Sequence, residues 1–133
     1  MTVLQDEKPP VAKRVVKDRA PKSVQAPFHM ANLYPRGTGL PMTVWVSTRA
    51  RARHDARVKV CLTHGDSMDP SNLAVVAIRP SPRIVRGKLA SRDFGPVAAW
   101  IALNEVALID YWNGTIDTLE LVARLQKLEQ PHA

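Results

Sequence analysis

A chain of 133 residues that is 45% hydrophobic can bury one small core, and its single Cys61 excludes an intramolecular disulfide framework, so nothing demands an oxidising compartment and a cytoplasmic setting is expected. The formal net charge of +7 is unevenly placed: seventeen of the nineteen Lys and Arg residues precede Asp93, and from Asp93 onward six acids face two bases. A basic working surface on an acidic helical support is the implied design, and such surfaces meet phosphate backbones or acidic proteins.

Residues 1–27 read as a disordered basic tail. Asp6 and Glu7 stand where a signal peptide would have its apolar run, so secretion by that route is not expected. Pro9, Pro10, Pro21 and Pro27 interrupt every helix-length window, while Lys8, Lys13, Arg14, Lys17, Arg19 and Lys22 repel one another. This arm either orders on a polyanion or partner or simply solubilises the chain. Phe28, Leu33 and Tyr34 are expected to anchor it to a single α+β domain over residues 28–130.

From Pro41 the pattern has period two. Thr43–Ser47 and Arg57–Leu62 alternate apolar with polar, which predicts two strands joined as a hairpin. Arg49, Arg51 and Arg53 make its tip positive against one acid, Asp55. The Asp66–Asn72 stretch is turn chemistry. Leu73–Ile78 predicts a buried strand, and Arg83–Lys88, after Pro80-Ser81-Pro82, an edge strand. A helix is expected from Asp93 to Trp112, capped by Asp93, with Pro96 in its first turn and Asn113-Gly114 at its end. Its one stripe of Val97, Trp100, Ile101, Leu108, Tyr111 and Trp112 is matched on the other side by Leu103, Val106 and Ile109. Cover by a second helix or by a homodimer through residues 97–112 is therefore expected. That second helix begins at Asp117, with Glu120 completing a capping box and Leu121, Val122, Leu125 and Leu128 as its stripe. The acids within Phe94–Trp112 argue against a membrane span. The expected fold is thus a small antiparallel sheet of three to four strands on two C-terminal helices.

Ile84-Val85-Arg86-Gly87-Lys88-Leu89, Val97, Trp100-Ile101, Asn104, Ala107-Leu108 and Trp112-Asn113-Gly114 together resemble the second half of a small bacterial family, domain of unknown function 4160. The resemblance covers residues 54–114. It implies strands followed by a Trp-bearing helix, and a bacterial, plasmid or phage setting of the toxin–antitoxin kind. Where that family carries a His-x-His pair on the second strand of its first hairpin, this chain has Arg57-Val58-Lys59-Val60, so no catalytic residue is carried over.

Metal-ligand spacings, phosphate-binding Gly loops and nucleophile elbows are all missing from the sequence, so no metal or cofactor is expected. Cys61 reads as a core thiol. Arg57 and Lys59 share one strand face while Val58, Val60 and Leu62 take the other, which leaves the cations in solvent. Arg49, Arg51 and Arg53 extend that surface, and Arg79, Arg83, Arg86, Lys88 and Arg92 can continue it. Trp45 adds a stacking surface if it faces the same way. A charge run of this kind is either a solvated face or a binding face. The preferred reading is a non-enzymatic binding protein for nucleic acid, a nucleoprotein or an acidic protein, with Arg49, Arg51, Arg53, Arg57, Lys59, Arg83, Arg86 and Lys88 as its contacts. A second reading is a metal-independent ribonuclease-like toxin using His54 and His64 as general acid and base. A third is a structural subunit of a larger nucleoprotein assembly.

Overall fold

The computed structural model describes residues 28–129. The expected tail over 1–27, the domain's last residue at 130 and His132 lie outside them. Five strands form one antiparallel meander in sequence order: β1 (Met30–Leu33), β2 (Met42–Ser47), β3 (Arg57–His64), β4 (Leu73–Ala77) and β5 (Arg83–Arg86). One helical turn, α1 (Pro35–Thr38), links β1 to β2. Three helices follow the sheet: α2 (Ser91–Leu103), α3 (Glu105–Trp112) and α4 (Thr118–Arg124). The domain is α+β, as the order of strands and helices predicts, with one strand more than the highest count expected.

The additional strand is β1. Its four residues between Pro27 and Pro35 carry no alternation, and only pairing with β2, from Met30 opposite Ser47 to Leu33 opposite Val44, makes it a strand. β3 follows the alternation over Arg57–Val60, β2 is buried on both faces despite its alternating sequence, and β4 is the buried apolar run expected. Met42, Val44, Val46, Val58, Val60, Val76 and Ile78 point to one side and bury there against Val97, Trp100, Ile101, Leu108, Tyr111 and Leu121. Each fully buried aliphatic of this set contributes about 1.5–3 kcal/mol relative to exposure.

The single helix expected over Asp93–Trp112 is two. Asn104 interrupts it with φ −113° and ψ 14°, because its side chain is engaged elsewhere: Nδ2 donates to the carbonyls of Trp100 and Gln126 at 3.0 Å each, and Oδ1 accepts from the Gln126 N–H at 2.7 Å. Helix α2 also starts earlier than expected. Ala90, not Asp93, is the N-cap, and Asp93 sits in the first turn, where its carboxylate takes a bond from His64 Nε2 at 3.1 Å. Pro96 consequently falls in the second turn and deprives the Arg92 carbonyl of its helical donor.

At α4 the capping box is present: Asp117 accepts from the Glu120 N–H at 2.8 Å and Glu120 from the Asp117 N–H at 3.0 Å. The stripe is only partly buried, with Leu121 in the core and Val122 exposed. Leu103 and Val106 also remain exposed, so the short second helix does not cover that side of α2 and α3.

After Arg124 the chain is extended and returns to α1, where the Leu128 N–H donates to the Thr38 carbonyl at 2.7 Å. No helix among the described residues is long and apolar enough to cross a membrane.

Candidate functional site

The face of the sheet away from the helices carries the cations. One residue per strand is opposed in register across it: Asn32, Trp45, Lys59, Val75 and Arg86. A neighbouring row contains Arg57, Ala77 and Arg83. Arg86 belongs to the first row only because of a bulge. Val76 faces Ile84 and Val75 faces Arg86, so Val85 is the extra residue, and regular pairing of Val85 with Val75 would turn Arg86 to the opposite face. Directly beyond, Gly87 adopts φ +77°, and a Cβ there would come within 2.9 Å of the Leu73 carbonyl oxygen. The bulge and the glycine together aim Arg86 along the cation face.

The β2–β3 connection folds over one end of this face. Its backbone is pinned by the Arg49 N–H donating to the Trp112 carbonyl at 2.7 Å and the Ala52 N–H donating to Arg49 at 2.7 Å. Ala50 between them adopts φ +45°, a left-handed conformation that disfavours a side chain. Asp55 anchors the other end of the connection. It receives the Arg79 guanidinium twice, from Nε at 2.8 Å and NH2 at 2.9 Å. That bidentate bond, with the Ala56 N–H and the nearby Arg49 charge assisting, lowers the Asp55 pKa to about 2. The same bond raises the pKa of Arg79. The one acid of the connection is thereby turned away toward the β4 end.

Between sheet face and connection lies a cleft of about 740 Å³ lined by Phe28, Trp45, Ser47, Thr48, Arg49, Ala50, Arg51, Ala52, His54, Arg57, Lys59, Val75, Arg86 and Trp112. Among the described residues, its five cations are accompanied by no carboxylate. Trp45, Val75 and Trp112 line it while only 4–6% exposed, so they form an apolar floor. The Lys59 ammonium stands 5.9 Å over the Trp45 ring, which fixes Trp45 on the cation face. The His54 ring packs on Trp112 with centroids 5.5 Å apart. Phe28, 61% exposed, stands at the rim.

Of the eight cations expected to bind, Arg49, Arg51, Arg57, Lys59 and Arg86 meet in this cleft. Arg83 shares the sheet face but lies outside the cleft, as do Arg53 and Lys88. Arg79 is engaged by Asp55 and does not continue the surface. The floor residues Val75 and Trp112 look like core positions in the sequence, and nothing in their spacing marks them for a site.

The two histidines considered as an acid–base pair are not brought together. His54 precedes β3 and His64 ends it, and a strand of eight residues puts their backbones roughly 25 Å apart. His54 Nδ1 engages the Asp55 carbonyl at 2.8 Å, and His64 engages Asp93. Cys61 is a buried thiol on β3. Among the described residues no group of three or more His, Cys, Asp or Glu could hold a metal ion. The chain matches no family model, no curated protein and no solved structure.

Proposed function

We propose that this chain is a non-enzymatic binding protein that engages nucleic acid through the cleft on the open face of its sheet. The observation that carries this reading is the convergence of Arg49, Arg51, Arg57, Lys59 and Arg86 on one cleft with no carboxylate among the described residues that line it. Five cations gathered in one concave site repel one another and attract a polyanion, and the low-dielectric floor strengthens the field there. A solvated face without a partner would have no need of a bulge and a pinned loop to gather its cations. The resemblance to domain of unknown function 4160 supports a bacterial role of the defence or toxin–antitoxin type, and the lone Cys61 fits a cytoplasmic setting. The replacement of that family's histidine pair by Arg57 and Lys59 favours binding over catalysis at these positions.

The test is fluorescence anisotropy with labelled RNA and DNA at increasing salt. Neutralising five phosphates gives a slope of log K against log salt on the order of −3.5 for a single strand. Charge reversal by Arg57→Glu with Lys59→Glu should abolish binding while the melting transition remains. A salt-independent affinity, or one unchanged in the double variant, would remove the cleft from the account, and affinity confined to an acidic protein would assign the same cations to a protein partner.

A further inference from the structure

We infer that the cleft is built for a single strand and not a duplex, with a base seated on the Trp45 floor and the flanking phosphates on Lys59, Arg57 and Arg86. This rests on the nucleic-acid reading above and names the form of nucleic acid that the same site takes.

The argument is the chemical layering of the cleft. A site that only gathered phosphates would need cations at its surface and nothing beneath them, because a duplex presents its backbone outward and keeps its bases stacked inside. Here the cations surround an apolar floor of Trp45, Val75 and Trp112, and Phe28 stands exposed at the rim. Flat apolar groups flanked by anions are what an unpaired nucleotide offers, and aromatic side chains are the surfaces on which unpaired bases stack. A cleft of about 740 Å³ has room for a base with its sugar and phosphate.

Lys59 has a specific part. Its ammonium lies 5.9 Å over the Trp45 ring, at the outer limit of useful cation–π attraction, so it covers the ring at little energetic advantage. An incoming base takes that place over the ring, and the ammonium swings to the phosphate beside it. Arg86, two strands away in the same row, is about 10 Å across the sheet and holds the next phosphate. Stacking and charge neutralisation then occur in one movement.

The experiment compares labelled oligouridylate and oligodeoxythymidylate of about ten nucleotides, within the usual span of such sites, with a blunt duplex and with heparin at matched salt. The expected result is at least about ten-fold tighter binding of the single strands than of the duplex, with quenching of tryptophan emission. Heparin, which has no bases, should compete without quenching. Of the three tryptophans Trp100 is fully buried, so quenching lost in Trp45→Leu reports the floor. Trp45→Leu should weaken single-strand binding about 5- to 100-fold and leave heparin binding unchanged. Because Trp45 is nearly buried, Phe28→Ala at the exposed rim serves as the second variant and should cost about five-fold for single strands alone. Equal affinity for duplex and single strand, or single-strand binding indifferent to both variants, overturns this inference and leaves polyanion binding standing. Failure to bind any of the nucleic acids overturns both. Preference between the RNA and DNA probes identifies which strand is the natural occupant.

Discussion

The side-chain amide of Asn104 pairs with the backbone of Gln126 on both sides, accepting from its N–H at 2.7 Å and donating to its carbonyl at 3.0 Å. In effect Asn104 supplies the ladder partner that an extended segment lacks after α4. Asn104 is 3% exposed, while Gln126 lies at the surface and both bonds are part-buried. Asn104→Asp turns the donor into an acceptor facing the carbonyls of Trp100 and Gln126, and Asn104→Leu leaves the Gln126 N–H and carbonyl without their partner. Each of these part-buried bonds contributes about 1 kcal/mol, and the poor fit of a bulkier leucine at the buried Asn104 position adds to the loss. Urea unfolding should show Asn104→Leu about 2–4 kcal/mol less stable than the parent. Asn104→Asp should be at least as damaging above its carboxyl pKa and partly recover in acid.

Position within the cleft, and not charge alone, should decide which cations matter. Lys59→Gln and Arg86→Gln remove cations that line the cleft, while Arg83→Gln removes one on the same face but outside it. Each of the first two should reduce the magnitude of the single-strand salt slope by about 0.7 and weaken binding at low salt. Arg83→Gln should change affinity less than two-fold, by about 0.4 kcal/mol at most. Equal effects from all three would mean that the whole face binds diffusely.

Much of this arrangement is legible in the sequence, and the parts that are not share a physical cause. Alternation marks β2 and β3, a short apolar run marks the buried β4, and the Asp117–Glu120 box marks the start of α4 because capping is local. β1 is silent, since four residues between prolines become a strand only through their neighbour. The break at Asn104 is hidden because apolar periodicity runs straight through it. The excess of cations is plain in the chain, yet its focus is not. Arg86 reaches the cleft through a one-residue bulge, and Trp112 reaches it by the end of a helix far away in sequence. Register and tertiary approach of this kind leave no periodic signal.

The Asp55–Arg79 pair should make the β2–β3 connection sensitive to acid. The Asp55 pKa is lowered from 3.8 to about 2 in the folded chain, so the pair's contribution is complete above the unfolded value. It is lost as pH falls from near 4 through 2. Both side chains are substantially exposed, at 42% and 51%, so solvent screening keeps the pair's contribution small. Urea melts of parent and Asp55→Asn should therefore differ slightly at pH 7 and converge by pH 2. A gap that persists below pH 2 would locate the effect in the Ala56 bond or in packing instead.

The exposed side of α2 and α3 should tolerate charge. Val106 is 69% and Leu103 42% exposed, whereas Ile109 packs against the core. Val106→Glu and Leu103→Glu should each keep stability within about 0.5 kcal/mol of the parent, and Ile109→Glu should cost several kcal/mol. Light scattering over a range of concentrations reads the same variants for association. A parent that dimerises and a Leu103→Glu, Val106→Glu variant that remains a folded monomer would establish a second copy on this side. A strict monomer throughout would exclude the homodimer.

Gly39 should be the least replaceable residue of the chain's return path. It adopts φ +83°, and a Cβ added there would overlap the carbonyl oxygen of Leu128. The neighbouring Leu128 N–H is already committed to Thr38 at 2.7 Å, so the segment cannot withdraw without breaking that bond. Gly39→Ala thus combines a left-handed backbone penalty of about 1–2 kcal/mol with displacement of the segment after Arg124. A total loss of about 2–4 kcal/mol is expected in urea melts. Hydrogen exchange separates the two contributions. If displacement occurs, the amides of Gln126 and Leu128 should exchange far faster than the global loss of stability requires, while those of β3 and β4 slow or quicken only with it. Uniform acceleration across all of these amides would show that the backbone penalty acts alone and that the segment follows Gly39 without detaching.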